Sequence, residues 1–127
     1  MRSFLILCML LPMLGCGTTE TIDKKQKEQV LNKISGQEAQ VELWIEIAES
    51  PRFDFEFDSE DYSNYQLGNK AIADELNSMI KDEKTLRKLK FILKRASVIK
   101  RSSSPTVQDL KKILELFHDL RKEVDEL

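Results

Sequence analysis

Residues 105–124, PTVQDLKKILELFHDLRKEV, decide the fold class because their apolar side chains recur every three or four positions. That spacing places them on one face of a helix and predicts a wide apolar stripe packed against other helices. Ser104 is the predicted N-cap and Pro105 the first-turn residue, while Asp109 suits the positive end of the helix dipole. The stripe consists of Val107, Leu110, Ile113, Leu114, Phe117, Leu120 and Val124.

Three other segments carry shorter stripes of the same kind. With the C-terminal stripe they predict a mainly α protein, in which residues 30–127 form a small bundle of three to four helices. Residues 16–29 contain one large apolar residue, Ile22, and are expected to form a polar tether or the solvated start of a helix. The stripes are Val30, Leu31 and Ile34; Ala71, Ile72, Leu76, Met79 and Ile80; and, after a predicted start at Thr85, Leu86, Leu89, Ile92, Leu93 and Ala96.

The segment before residue 50 is ambiguous in its secondary structure. Over residues 37–49, Val41, Trp44 and Ile45 fit one face of a helix, and the Glu, Gln, Ala and Leu residues around them favour helix. The preceding pair, Ser35-Gly36, either ends the first helix with a left-handed glycine cap or lies inside a longer one. We expect a helix over 37–49.

The alternative is a short β-hairpin at about 41–66. Residues 41–47 and 53–58 both alternate apolar and polar side chains, and Pro51 lies between them, as in two strands joined by a turn. If 37–49 is helical instead, the stretch from about Glu49 to Gly68 is an extended acidic-aromatic loop. Loops of that length in a small domain are usually functional or disordered.

Composition narrows the classes of function. The 127 residues hold 20 Lys+Arg and 22 Asp+Glu, so a general nucleic-acid binder, which would carry a strong basic excess, is not expected. A mean hydropathy of -0.39 excludes a polytopic membrane protein. Two Cys, one His and four Gly leave little material for a zinc, thiol or phosphate-loop site. The single histidine, His118, stands in no catalytic motif and is expected at a surface or boundary position, so we do not expect an enzyme.

Charge is unevenly distributed along the chain. Residues 51–65 carry five acids and one base, a net charge of -4, while residues 81–101 carry nine bases and two acids, a net charge of +7. Either the two segments compensate each other, or the basic helix faces anionic lipid or another polyanion. The predicted basic face consists of Arg87, Lys88, Lys90, Lys94 and Arg95.

The acidic segment also holds five of the nine aromatic residues. One interpretation is a half-buried strand or loop; the other is a recognition edge, since exposed aromatic side chains are common anchors of protein interfaces. On the second interpretation the partner-binding residues are Trp44, Phe53, Phe55, Phe57, Tyr62 and Tyr65.

A calcium loop is matched only in part. Asp54, Glu56, Asp58 and Glu60 have the one-three-five-seven spacing of an EF-hand loop. Ser59 stands where that loop needs Gly and Tyr65 where it needs Glu. We therefore expect no metal and no cofactor.

The first sixteen residues contain a targeting motif. Arg2 precedes an apolar run over residues 4–14, which is shorter than the roughly 20 residues of a membrane span and suits a secretory signal. Met13-Leu14-Gly15-Cys16 then resembles the lipobox of bacterial lipoproteins, with Met13 where that family prefers Leu. The alternative is an ordinary secretory signal in which Cys16 is incidental.

The resemblance implies that the protein is acylated and located in a membrane of the cell envelope. Lipoproteins are cleaved before the Cys, here between Gly15 and Cys16, so residues 1–15 are the predicted signal peptide and Cys16 the acylated residue. Family members with Asp after the Cys stay in the inner membrane. Gly17 therefore implies the outer membrane for a Gram-negative source, and the cell membrane otherwise.

Together these observations predict an exported, lipid-anchored envelope protein that acts through protein–protein contacts, as an adaptor, assembly or pilotin-like factor. The alternatives are a surface-displayed lipoprotein for host interaction or exclusion, and a lipoprotein that binds a small ligand or metal. The C-terminal apolar stripe also permits a homodimer.

Overall fold

The computed structural model describes residues 22–50, 59–99 and 105–127. These residues form four helices and no strand, which confirms the predicted small helical bundle. The helices are α1 (Lys24–Glu49), α2 (Ser59–Met79), α3 (Glu83–Ser97) and α4 (Val107–Asp125). None of them is both long enough and apolar enough to cross a membrane.

Side-chain contacts show that successive helices run antiparallel. The start of α1 meets the end of α2, where Gln26 Nε2 donates to Ser78 Oγ at 3.1 Å. It also meets the end of α4, where Lys27 Nζ donates to the carbonyl of Asp125 at 2.7 Å. The last residue of α3, Ser97, meets the start of α2. Since α1 and α3 each pack against α2 and α4, they lie diagonally across the bundle from each other.

The core is built from the apolar stripes. Three rings meet at its centre, with centroids 5.3 Å apart for Trp44 and Tyr65 and 6.2 Å apart for Tyr65 and Phe117. These separations are typical of favourable aromatic pairs. Most of the α4 stripe is buried here, from Leu110 to Val124. The bundle itself therefore covers most of the stripe that was predicted to permit a homodimer.

Helix α1 begins earlier than predicted. Asp23 is its N-cap, with a carboxylate that accepts from the backbone N–H of Lys25 at 3.0 Å. Contacts of Gln26 and Lys27 with α2 and α4 hold the first turns to the bundle. Of the two alternatives predicted for residues 16–29, the start of a helix therefore holds for residues 24–29, and the tether does not.

The rest of α1 settles the ambiguity before residue 50. The predicted helix over 37–49 is confirmed, and it continues through Gly36, beside which there is open space. The hairpin alternative is wrong for residues 41–49 because Val41, Trp44 and Ile45 lie on one buried face.

Helix α2 also begins earlier than expected, at Ser59. The predicted extended loop to residue 66 or 68 is wrong from residue 59 onward. Glu60 and Asp61 lie in the first turn, where carboxylates interact favourably with the helix dipole. Tyr65, Asn69, Ile72, Leu76 and Met79 then form the buried face, so the helical period starts inside the acidic-aromatic stretch.

The caps of α3 and α4 differ from those predicted. Asp82, rather than Thr85, precedes α3, and hydrogen bonds from the Thr85 hydroxyl and backbone N–H lower the pKa of the Asp82 carboxyl. Helix α4 is capped by Thr106, not Ser104. Thr106 Oγ1 accepts from the Asp109 N–H, and the Asp109 carboxylate accepts from the Thr106 N–H, both at 3.1 Å. This reciprocal capping box satisfies two backbone donors at once.

Candidate functional site

The interface between α2 and α3 is open and forms a groove with a volume of about 660 Å³. Its apolar lining comes from Ala73 of α2 and from Leu86, Phe91 and Leu93 of α3. Phe91 is 60% exposed, although a large apolar side chain is usually covered in a folded domain. The groove is therefore an apolar surface that the described part of the bundle does not cover.

Cations line both edges of this groove. Lys70 lies on the α2 side, and Arg87, Lys90 and Lys94 lie on the α3 side. The lining includes one acid, Glu83, which is exposed and 3.9 Å from Arg87. Exposed pairs of this kind contribute at most about 1 kcal/mol to stability, so the edge keeps its positive character.

The cations at the edges of the groove make few and mostly exposed contacts within the protein, so they are available to bind a ligand. Lys70 makes an exposed pair with Asp74 at 3.6 Å, and Lys90 Nζ donates to Asn77 Oδ1 at 3.2 Å. Lys94 has no ion-pair partner among the residues that the structure describes. The groove thus combines an apolar floor with side chains suited to carboxylates.

One end of the groove is polar. Gln66 Nε2 donates to the carbonyl of Ser97 at 2.9 Å, which joins α2 to α3. Asn69 is 3% exposed, and its Oδ1 accepts from Gln37 Nε2 at 2.9 Å. Its Nδ2 has no hydrogen-bond partner within the described ranges.

Below this end, Tyr65 closes the contact between α2 and α3. Its hydroxyl donates to the carbonyl of Ala96, and burial raises the pKa of the Tyr65 phenol above its usual value. Gln37 also donates to the Tyr65 carbonyl at 3.0 Å. The Gln37 amide fits there because position 68 is glycine: an added Cβ would lie 2.8 Å from Gln37 Oε1.

The predicted basic face is divided between two surfaces. Arg87, Lys90 and Lys94 line the groove. Lys88 instead pairs with Glu123 of α4 at 3.2 Å. Arg95 lies over the Phe91 ring, with its guanidinium carbon 5.9 Å from the ring centroid, and also lines a separate cleft between α3 and α4.

The predicted partner-binding aromatics do not come together. Trp44 and Tyr65 are 4% and 2% exposed, so the prediction that they contact a partner is wrong: they pack against each other in the core. Tyr62 is half-buried on α2. Phe53, Phe55 and Phe57 lie outside the described residues, as do Gly15 and Cys16.

A buried ion cluster joins α1 to α4. The Glu38 carboxylate is almost fully buried, 2.9 Å from Arg121 Nε and 3.1 Å from His118 Nε2. Sequence reasoning missed it, although Glu38 interrupts the apolar stripe of α1 between Ile34 and Val41. A carboxylate so placed needs charged or hydrogen-bonding partners, which His118 and Arg121 supply at adjacent turns of α4. The cluster fastens the interface between α1 and α4, and His118 and Arg121 also line shallow clefts at its surface.

Metal ligands are not gathered in the described ranges: no group there of three or more His, Cys, Asp or Glu could hold an ion. Of the four carboxylates in the partial calcium match, only Glu60 is described, and it is exposed on the first turn of α2. The groove between α2 and α3 is therefore the candidate functional site. No family model, no curated protein and no solved structure matches this chain.

Proposed function

We propose that this protein is a lipid-anchored component of the bacterial envelope that acts by binding another protein chain rather than by catalysis. The observation that carries the proposal is the open groove between α2 and α3, with Phe91 exposed along it. Exposed aromatic side chains beside cations are typical of the residues that dominate protein interfaces.

The anchor is supported by the sequence Met13-Leu14-Gly15-Cys16, which resembles a lipobox. Acylation of Cys16 would insert at least two chains, and each buried CH₂ contributes about 0.8 kcal/mol, enough for stable attachment. Seven residues lie between Cys16 and the first residue of α1, Lys24, so the two are eight steps of chain apart and at most about 27 Å from each other. The tether would hold the groove close to the membrane, where a partner meets it at high effective concentration.

The anchor is tested by isolating the protein from detergent-solubilised envelopes and measuring the mass of its N-terminal peptide. We expect a chain that begins at Cys16 and carries covalent acyl groups, and we expect Cys16→Ser to remain uncleaved and unacylated. A peptide that begins elsewhere, with an unmodified Cys16, contradicts the anchor.

The binding role is tested by photo-crosslinking in intact envelopes. Phe91→p-benzoylphenylalanine places the probe in the groove, and Leu67→p-benzoylphenylalanine is the matched control, since Leu67 is equally exposed on α2 but does not line the groove. We expect a discrete protein adduct from position 91 and none from position 67. Adducts with phospholipid alone, or no adduct at either position, contradict the proposal.

The predicted roles of Phe53, Phe55 and Phe57 need a separate experiment. A variant with all three changed to Ala is compared with the parent for the adduct formed from position 91. If these residues contribute to the same contact, the yield falls. An unchanged yield assigns the contact to the groove alone.

A further inference from the structure

We infer that the chain that enters the groove is a second copy of this protein, whose α1 offers an acidic, partly apolar outer face. This inference rests on the proposed function and names its partner. It follows from two surfaces of one molecule that complement each other in charge and in spacing. Within one molecule these two surfaces do not touch, because they lie on different sides of the bundle.

The first surface is the groove, in which Arg87, Lys90 and Lys94 form a row along α3. The row is open to solvent and lies beside the exposed ring of Phe91. Successive members are three and four residues apart, so they follow one side of the helix at intervals of about 4.5 and 6 Å.

The second surface is the outer side of α1 near its C-terminal end. Glu42, Glu46 and Glu49 form an acidic row on the flank that faces α4, where they line a cleft with Lys111 and His118. Two exposed apolar side chains, Leu43 at 50% and Ile47 at 36%, lie on the adjoining solvent side of α1. Glu49 lies 3.5 Å from Lys111 of α4. Glu42 and Glu46 have no ion-pair partner within the described ranges. The exposed leucine and isoleucine make this face suited to a partly apolar site.

The two rows match when the helices run antiparallel. From Glu42 to Glu49 the intervals are four and three residues, and from Lys94 back to Arg87 they are also four and three. All three acids can then face a cation at the same axial spacing, in the manner of an amphipathic helix laid in a groove. Leu43 and Ile47 would supply apolar contact to the groove.

Within a single copy the two rows cannot meet. Helices α1 and α3 lie diagonally across the bundle, and each contacts only α2 and α4 among the described helices. The acidic face and the basic groove therefore point to different sides of the molecule, and only a second copy can bring them together. Because the two surfaces point to different sides of the molecule, one contact cannot contain both of them twice, and it is therefore of the heterologous kind.

A bilayer surface fits the groove less well. Anionic headgroups would meet exposed cations such as Lys90, but a flat surface cannot reach Leu93 and Ala73 between the helices. A helix can enter a groove between two helices and contact its floor. The apolar floor thus favours a polypeptide over lipid.

The test is a charge reversal on full-length protein. Two differently tagged copies are expressed together, the envelopes are dissolved in detergent, one tag is captured and the other is quantified. Lys90→Glu with Lys94→Glu should lower recovery of the second copy by about tenfold or more, since like charges then face each other. Glu42→Lys with Glu46→Lys should do the same. The four changes together should restore recovery.

Matched controls separate this contact from general charge effects. Lys84→Glu with Lys122→Glu makes the same charge change at exposed positions outside the groove and should leave recovery unchanged. Circular dichroism shows whether each variant folds. If a reversed pair recovers the second copy as well as the parent does, or if the four-fold variant does not regain recovery, the inference is wrong.

The adduct from position 91 distinguishes the failure of this inference from the failure of the proposed function. A second copy in the adduct, together with rescue by the four-fold reversal, supports both. A different protein in the adduct, with no effect of the charge reversals on self-association, overturns the inference and leaves the proposed function standing. A phospholipid adduct alone overturns both.

Discussion

The interface between α1 and α4 and the interface between α2 and α3 both join antiparallel helices, yet a buried ion cluster fastens the first between two surface clefts, while the second opens into the groove of about 660 Å³. Between α1 and α4, the carboxylate of Glu38 is held by Arg121 and His118 over a continuous core. Between α2 and α3, contact is concentrated where Tyr65 meets Ala96, and the rest is a groove edged by cations. The difference separates the part of the bundle that provides stability from the part available for binding.

Substitution of two phenylalanines, one in the core and one in the groove, is expected to give the largest difference in stability. Phe117→Ala removes a fully buried ring from the core contact of α4, so we expect the free energy of unfolding to fall by about 3–5 kcal/mol. Phe91→Ala removes a ring that is mostly in water, and a change within about 0.5 kcal/mol is expected. Urea unfolding followed by circular dichroism measures both. Equal losses would show that the groove is part of the folding core.

The same division explains how far the sequence could be interpreted. The stripe of α4 was predictable because large apolar side chains recur every three or four residues over five turns. The start of α2 was not, since the alternation of residues 53–58 runs directly into a helical repeat that becomes clear only at Tyr65 and Asn69. A period change inside an aromatic stretch leaves no local signal of where the helix begins.

The site was predictable only in part. A basic row on α3 follows from sequence periodicity, and three of its five members line the groove. The mistake over Trp44 and Tyr65 has a physical cause: aromatic residues among acids suggest exposure, but their burial depends on Phe117, which lies far along the chain. The gap between α2 and α3 depends on helix packing, which no single segment encodes.

The ion cluster gives the second test. Arg121→Ala leaves the buried carboxylate of Glu38 with His118 as its remaining partner, and we expect a loss of about 2 kcal/mol in the free energy of unfolding. Lys111→Ala is the control, because its pair with Glu49 is half exposed on both sides and should change stability by less than about 0.5 kcal/mol. If both variants lose the same amount, the α1–α4 interface does not depend on the buried cluster.

Alkaline pH tests the buried contact between Tyr65 of α2 and Ala96 of α3. Because burial raises the pKa of Tyr65, the phenol stays protonated in the fold at a pH where the unfolded chain ionises. This stabilisation is complete below about pH 10 and is lost as the pH rises toward the folded pKa. Tyr65→Phe removes the effect, so above pH 10 the unfolding free energy of the variant should fall less steeply than that of the parent. The difference between the two slopes is at most about 1.4 kcal/mol per pH unit. Parallel curves for parent and variant between pH 9 and 11 contradict this.

Substitution of two glycines is expected to give the smallest changes in stability. One glycine lies beside open space and the other lies against a neighbouring helix. Gly36 lies in the middle of α1 with nothing near its missing Cβ, so Gly36→Ala should raise the free energy of unfolding by about 0.5–1 kcal/mol through helix propensity alone.

Gly68→Ala has the same gain in propensity, but its Cβ would displace the Gln37 amide from the Tyr65 carbonyl and from Asn69 Oδ1. Losing two part-buried hydrogen bonds costs about 1–3 kcal/mol, which exceeds the gain, so this variant should be less stable than the parent. Thermal unfolding of both variants under one condition decides the comparison. A stabilised Gly68→Ala would mean that the Gln37 contacts contribute little, and that α1 and α2 are joined by their apolar faces alone.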